Sequence, residues 1–119
     1  MKNELQDAAA AFAAAADPTR LRLLKCMQRR SARVGELARA LNVPQPTISR
    51  HLRVLRRAGL VTAERQAQCV EYSLAADPEG AVRMAVLWAV SRALDNDPQT
   101  SADWERLQEN EDKRASWGG

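Results

Sequence analysis

The sequence predicts a mainly α-helical domain with one small β-hairpin. Three observations carry that reading. Apolar residues recur at helical spacing in five separate stretches. One pair of short segments alternates with strand period. Asp-Pro pairs and a glycine punctuate the chain where helices should start and stop. The chain has 119 residues, enough for one modest core, and a chain this small often gains stability by dimerising.

The first helix is expected over residues 3–16, where Leu5, Ala9, Phe12, Ala13 and Ala16 form one stripe. Its alanines favour helix but add little bulk, so another helix can approach closely. Asp17-Pro18 starts the second helix, with Asp17 as cap and Pro18 in the first turn. That helix runs to about Arg30, with Leu21, Leu23, Leu24 and Met27 facing in and Arg22, Lys25 and Arg29 facing out. Residues 31–34 are a break. Gly35 to Asn42 form a short third helix with Leu37, Ala38 and Leu41 inward. Asn42-Val43-Pro44 is a turn, because proline disfavours helix in the residue before it. The fourth helix starts at Gln45 or Pro46 and stops at Gly59, a C′ glycine.

Leu60 to Arg65 and Cys69 to Leu74 are predicted strands joined by Gln66-Ala67-Gln68. Asp77-Pro78 opens a last long helix through Leu94, whose apolar residues cover more than one stripe. It therefore meets something besides its own core. Residues 1–94 are taken as one domain and 95–119 as a polar, acidic tail, partly helical or disordered. In the tail Ser101 to Arg114 can be helical, with Trp104 and Leu107 on one side.

Charge is unevenly distributed. The whole chain carries +3, yet Arg20 to Arg65 holds twelve Lys and Arg against Glu36 and Glu64, a net of +10. Residues 95–119 carry a net of −4. A basic centre of that density points to a polyanion, most simply nucleic acid. No run of 18 apolar residues provides a membrane span, and no apolar segment after Lys2 suggests a secretory leader. Two cysteines are too few for a disulfide framework. No nucleophile–base pair, phosphate-cradling glycine loop or metal-ligand cluster supports an enzyme.

The third helix, tight turn and fourth helix have the dimensions of a helix-turn-helix, and the hairpin after them would be a wing. At 100° per residue, Ile48, Leu52 and Leu55 share the inner face of the fourth helix. Pro46, Arg50, Arg53 and Arg57 lie opposite, and Gln45, Thr47 and Ser49 sit at the N-terminal end. That end of a recognition helix meets base edges in the major groove. Arg can grip guanine and Gln adenine in bidentate fashion. Arg56 and Arg57, late in the helix, are placed for phosphates. The candidate DNA contacts are Gln45, Thr47, Ser49, Arg50, Arg53, Arg57, Arg65 and Gln68.

Three stretches resemble the ArsR/SmtB family of bacterial repressors. Ala16-Asp17-Pro18-Thr19-Arg20-Leu21-Arg22-Leu23-Leu24 looks like its opening motif. Gln45 to Val61 (QPTISRHLRVLRRAGLV) resembles its recognition helix, and Arg65-Gln66-Ala67-Gln68 through Tyr72-Ser73-Leu74 its wing. The resemblance covers about residues 8–94. It implies a winged helix-turn-helix homodimer joined through the first and last helices, with Leu5, Ala9, Phe12, Val82, Val86, Trp88 and Ala89 at the interface. It also implies a cytoplasmic, nucleoid-associated repressor on a pseudo-palindromic double-stranded operator. Pro46 stands where a polar residue is frequent, Ala67 where a wing-tip glycine is frequent, and Gln68 where many relatives carry a basic residue.

The family's metal sites are not expected here. Arg33 and Gly35 occupy the places of its Cys-x-Cys pair, and residues 78–94 hold no His, Cys or Asp. No cofactor is expected, and the inducer is not specified. His51 is expected to be structural or to face phosphate. Cys26 lies at the margin of the Arg22/Lys25/Arg29 face, where cations lower a thiol pKa, and Cys69 lies beside the wing. A thiol switch and two inert small residues both remain open, as does a winged-helix interaction module that does not read DNA.

Overall fold

The computed structural model describes residues 3–76 and 80–118. In chain order these form α1 (Glu4–Ala15), α2 (Pro18–Arg29), β1 (Ala32–Arg33), α3 (Val34–Leu41), α4 (Gln45–Arg57), β2 (Val61–Gln66), β3 (Cys69–Leu74), α5 (Ala81–Ala93) and α6 (Pro98–Gly118).

Local chemistry accounts for most boundaries. The Asn3 side chain caps α1 by accepting from the Gln6 N–H, and Asp17 caps α2 by accepting from the Arg20 N–H at 3.0 Å. Glu36 in the first turn of α3 accepts from the Arg33 N–H. Asn42 closes α3 in the left-handed region, at φ 57°. Gly59, at φ 77°, follows α4. The Gly59 N–H donates to Arg56 O and the Leu60 N–H to Leu55 O, the paired bonds of a Schellman stop. A side chain at residue 59 would also strike Arg83. The Asp77-Pro78 helix opener and Glu79 lie outside the described residues, and α5 itself begins at Ala81 after Gly80.

The sheet has three strands, not two, in the order β1-β3-β2. Ala32 pairs with Tyr72 and Arg33 with Glu71, so the expected break at residues 31–34 is an edge strand beside the wing. β2 and β3 pair from Val61↔Leu74 to Gln66↔Cys69, leaving Ala67 and Gln68 as a two-residue loop. Ala67 takes φ 56°, a conformation that glycine adopts at lower cost.

The core is centred on Leu23, Leu24, Leu37, Ile48, Leu52, Leu55 and Leu60, all buried. Leu107 from α6 joins it. The segment after Asp95 therefore packs on the domain as a helix along α2 and α3. In α1 the buried residues are Ala11 and Ala14, while the stripe from Leu5 through Phe12 faces outward. Both faces of that alanine-rich helix are apolar, so its partners select the inner one.

Candidate nucleic-acid interface

The recognition helix is oriented from its buried side. Ile48, Leu52 and Leu55 are fully enclosed, which leaves no rotational freedom for the opposite face. Pro46, Arg50, Arg53 and Arg57 are exposed there; at the N-terminal end Gln45 is exposed and Thr47 and Ser49 are partly covered. The Arg50 guanidinium donates to the Thr47 hydroxyl at 3.3 Å, one turn back. That bond holds Arg50 toward the N-terminal end of α4. Arg65 and Gln68 are exposed on the wing. All eight sequence-predicted contacts thus reach solvent from α4 or the hairpin.

The basic centre is smaller than its charge count suggests. Arg22 and Lys25 were expected on a free cationic face, but α6 and the end of α5 cover them. Arg22 pairs with Asp103 at 2.9 Å, which holds its guanidinium pKa above the usual arginine value, against burial. Lys25 is 6% exposed and donates to Asp95 at 2.7 Å and to Ser91 O at 2.6 Å. Arg30 donates to Glu36 and Leu107 O. Arg29 lies over the Trp104 ring, 5.0 Å from its centre. The exposed cations left on the α3–α4–wing side are Arg39, Arg50, Arg53, Arg56, Arg57 and Arg65.

His51 has a structural role. Its Nδ1 is 3.1 Å from Arg20 Nη1, and Arg20 Nε donates to Ala14 O. Asp17 is 3.9 Å from the same ring nitrogen. Burial would raise the Asp17 pKa, but the Arg20 N–H and the Arg20 charge beside it lower it overall. This group ties the start of α2 to the middle of α4. The Asp17-Pro18-Thr19-Arg20 motif is thus part of what aims the recognition helix.

For Cys26 the sequence leaves a thiol switch and an inert small residue both open, and its neighbouring cations taken alone favour the thiolate. The side chain is instead 1% exposed, and burial, reinforced by the Asp103 carboxylate, pushes its pKa up to about 12. The native state therefore binds this proton more tightly than the unfolded chain. That contribution to stability is complete below the ordinary thiol pKa of about 9 and is lost as pH rises through about 12. In folded protein at pH 8, iodoacetamide should modify the half-exposed Cys69 and leave Cys26 untouched until the chain unfolds. Peptide mass spectrometry reads this directly, and equal labelling of the two would contradict the burial argument.

The outward apolar residues of the protomer gather on two helices. Leu5 and Phe12 of α1 are 81% and 59% exposed, and Met84 and Trp88 of α5 are 54% and 65% exposed. Ala9 and Ala89 are exposed as well, and α1 packs on α5. Val82 is half-buried and Val86 is buried against the protomer's own core. Val86 was expected at the interface, but α5 turns it inward. Among the described residues no group of three His, Cys, Asp or Glu side chains is placed to hold a metal ion. No helix among them is long and apolar enough to cross a membrane.

Comparison with known proteins agrees with this geometry. A family model described as bacterial regulatory protein, arsR family, matches residues 17–63. The repressor SmtB of Mycobacterium tuberculosis is 42% identical over 73 residues, or 60% of this chain and 54% of the repressor. The chain thus spans about half the length of that relative. HlyU from Vibrio cholerae superposes with a TM-score of 0.65 at 31% identity, over 78% of this chain and 97% of HlyU. A homodimeric winged helix-turn-helix DNA-binding domain from Mycobacterium bovis, from a possible ArsR-family regulator, superposes with a TM-score of 0.64. It is 26% identical, over 76% of this chain and 81% of that domain.

Proposed function

Because the chain belongs to the ArsR family of bacterial regulatory proteins, we propose that it is a DNA-binding transcriptional regulator, a repressor rather than an enzyme. It acts in the cytoplasm on the nucleoid, as a homodimer on a pseudo-palindromic operator. The observation that carries the reading is α4. Its inner face is locked by Ile48, Leu52 and Leu55, which leaves Gln45, Thr47, Ser49 and Arg50 accessible at the end that reaches base edges. Arg53, Arg57 and Arg65 serve phosphates, and Gln68 places the wing. The outward apolar faces of α1 and α5 join the two protomers, so that each recognition helix reads one half-site.

The regulator works without the family's metal sites. Arg33 and Gly35 offer no thiolate, and the described part of α5 offers no His, Cys or Asp. Nor is Cys26, buried and protonated, suited to sensing oxidants as a thiolate.

Fluorescence anisotropy tests the proposal, with the duplex upstream of the protein's own gene and a scrambled duplex of equal length. The expected result is a preference of at least about 10³-fold for the first. Absence of salt-sensitive binding to both would overturn it in favour of a protein-interaction module on the same fold.

A further inference from the structure

We propose that Asp103 of α6 is a positioning residue for DNA reading: through Arg22 and Arg106 it fixes the last turn of α3, and with it the turn that aims α4. The inference rests on the DNA-reading function proposed above. The last four carbonyls of a helix have no partner within it. In α3 these belong to Ala38, Arg39, Ala40 and Leu41. The turn satisfies the first two, since the Val43 N–H donates to Ala38 O and the Asn42 N–H to Arg39 O. The other two are satisfied from outside. Arg106 Nε donates to Ala40 O, and Arg22 Nη2 donates to Leu41 O at 2.7 Å.

Both guanidinium groups are held by one carboxylate. Asp103 is fully buried and accepts from Arg22 Nε, Arg22 Nη2 and Arg106 Nη2, each at 2.9 Å. Such charge-assisted forks are short and directional. A buried carboxylate is costly unless it is paired in this way. The whole assembly is therefore satisfied only when α6, α2 and the end of α3 are correctly placed together. Asn42-Val43-Pro44 follows at once, and Gln45 begins α4. α3 packs on both α6 and α4. None of the three charged residues lies on the exposed face of α4, so they act on DNA through the turn and not by contact.

The Asp103→Asn variant leaves two guanidinium groups near a neutral amide, so it is paired with a milder one. Arg106 is 41% exposed, and Arg106→Met keeps an apolar stem while deleting the bond to Ala40 O and leaving the Arg22–Asp103 pair. The full-length dimer is used, at a temperature where each variant is folded. Two quantities are read: amide exchange over residues 42–48, and anisotropy binding to the upstream and scrambled duplexes at several salt concentrations.

In Arg106→Met, faster exchange is expected in residues 42–48 but not in α1 or α5. The preference for the upstream duplex should fall by about fivefold or more, equivalent to about 1 kcal/mol, with the salt slope unchanged. Asp103→Asn should move both quantities further in the same direction, and Arg106→Lys should restore part of the preference. Unchanged exchange over 42–48, or an unchanged preference, overturns the proposal. So does an even rise in exchange throughout the fold, which is loss of general stability. A shallower salt slope overturns it too, because Arg106 would then be a phosphate contact. If the wild-type protein shows no preference for the upstream duplex, the DNA-reading function fails at its own step. A wild-type preference that Arg106→Met leaves intact defeats the positioning role alone.

Discussion

Arg50→Ala is expected to weaken operator binding by about 1–3 kcal/mol, or about five- to 150-fold, and to relax specificity at one position of each half-site. Arg50 lies opposite the buried Ile48, Leu52 and Leu55, and the Thr47 hydroxyl draws its guanidinium toward the N-terminal end of α4. A planar fork held there suits the paired acceptors of guanine. In the free protein the side chain is exposed, so its removal should leave the melting temperature nearly unchanged. A matched set of operator duplexes, each altered at one base pair, is titrated with both proteins. Wild-type should discriminate at one position where Arg50→Ala does not. An Arg50→Ala protein that keeps the full wild-type pattern would remove Arg50 from the readout.

Arg57 provides the contrast. It is also exposed, but it lies two turns further along α4, next to the Gly59 stop. A cation there is placed for the backbone. Arg57→Ala should weaken all duplexes alike and reduce the slope of log affinity against log salt by about one. Comparison of the two variants separates base contact from phosphate contact without a structure of the complex.

Much of this interface was legible in the sequence because α4 carries two opposed patterns. Its leucine and isoleucine spacing marks the inner face, and its arginines mark the outer one. The helix stops were legible for a similar reason: Asp17-Pro18 and Gly59 are local signals that hold whatever surrounds them. What was not legible depends on distant partners. β1 has only two residues and exists because Tyr72 and Glu71, about 40 positions later, offer it a strand edge. Arg22 and Lys25 read as a free basic face because nothing near them in sequence opposes them. Their acids are Asp103 and Asp95 on the far side of α5. Cys26 followed the same course, since the covering that raises its pKa comes from residues it cannot be seen to meet. The inner side of α1 could not be chosen either, because alanine makes every face of that helix acceptable to a partner.

The exposed apolar side of α1 continues onto α5. Trp88 is 65% exposed in the protomer and lies under the Arg92 guanidinium at 5.7 Å. A tryptophan left that open has roughly 150 Å² of surface to bury. At about 25 cal/mol per Å² this is about 4 kcal/mol, and a two-fold axis counts it twice. Trp88→Glu places a carboxylate in the contact and should yield a monomer by light scattering. Its circular dichroism should match wild-type, because the protomer encloses little of this side chain. The same charge at Val86, which is 4% exposed, should instead unfold the protomer. A monomer must bind the two half-sites separately and loses the gain from linking them, about 10²–10⁴-fold. Operator affinity should therefore fall by at least about 100-fold, while affinity for an isolated half-site stays at the wild-type value. That pair of results distinguishes a broken dimer from a damaged recognition helix, which would weaken both duplexes equally. A Trp88→Glu protein that remains dimeric with full operator affinity would move the interface away from α1 and α5.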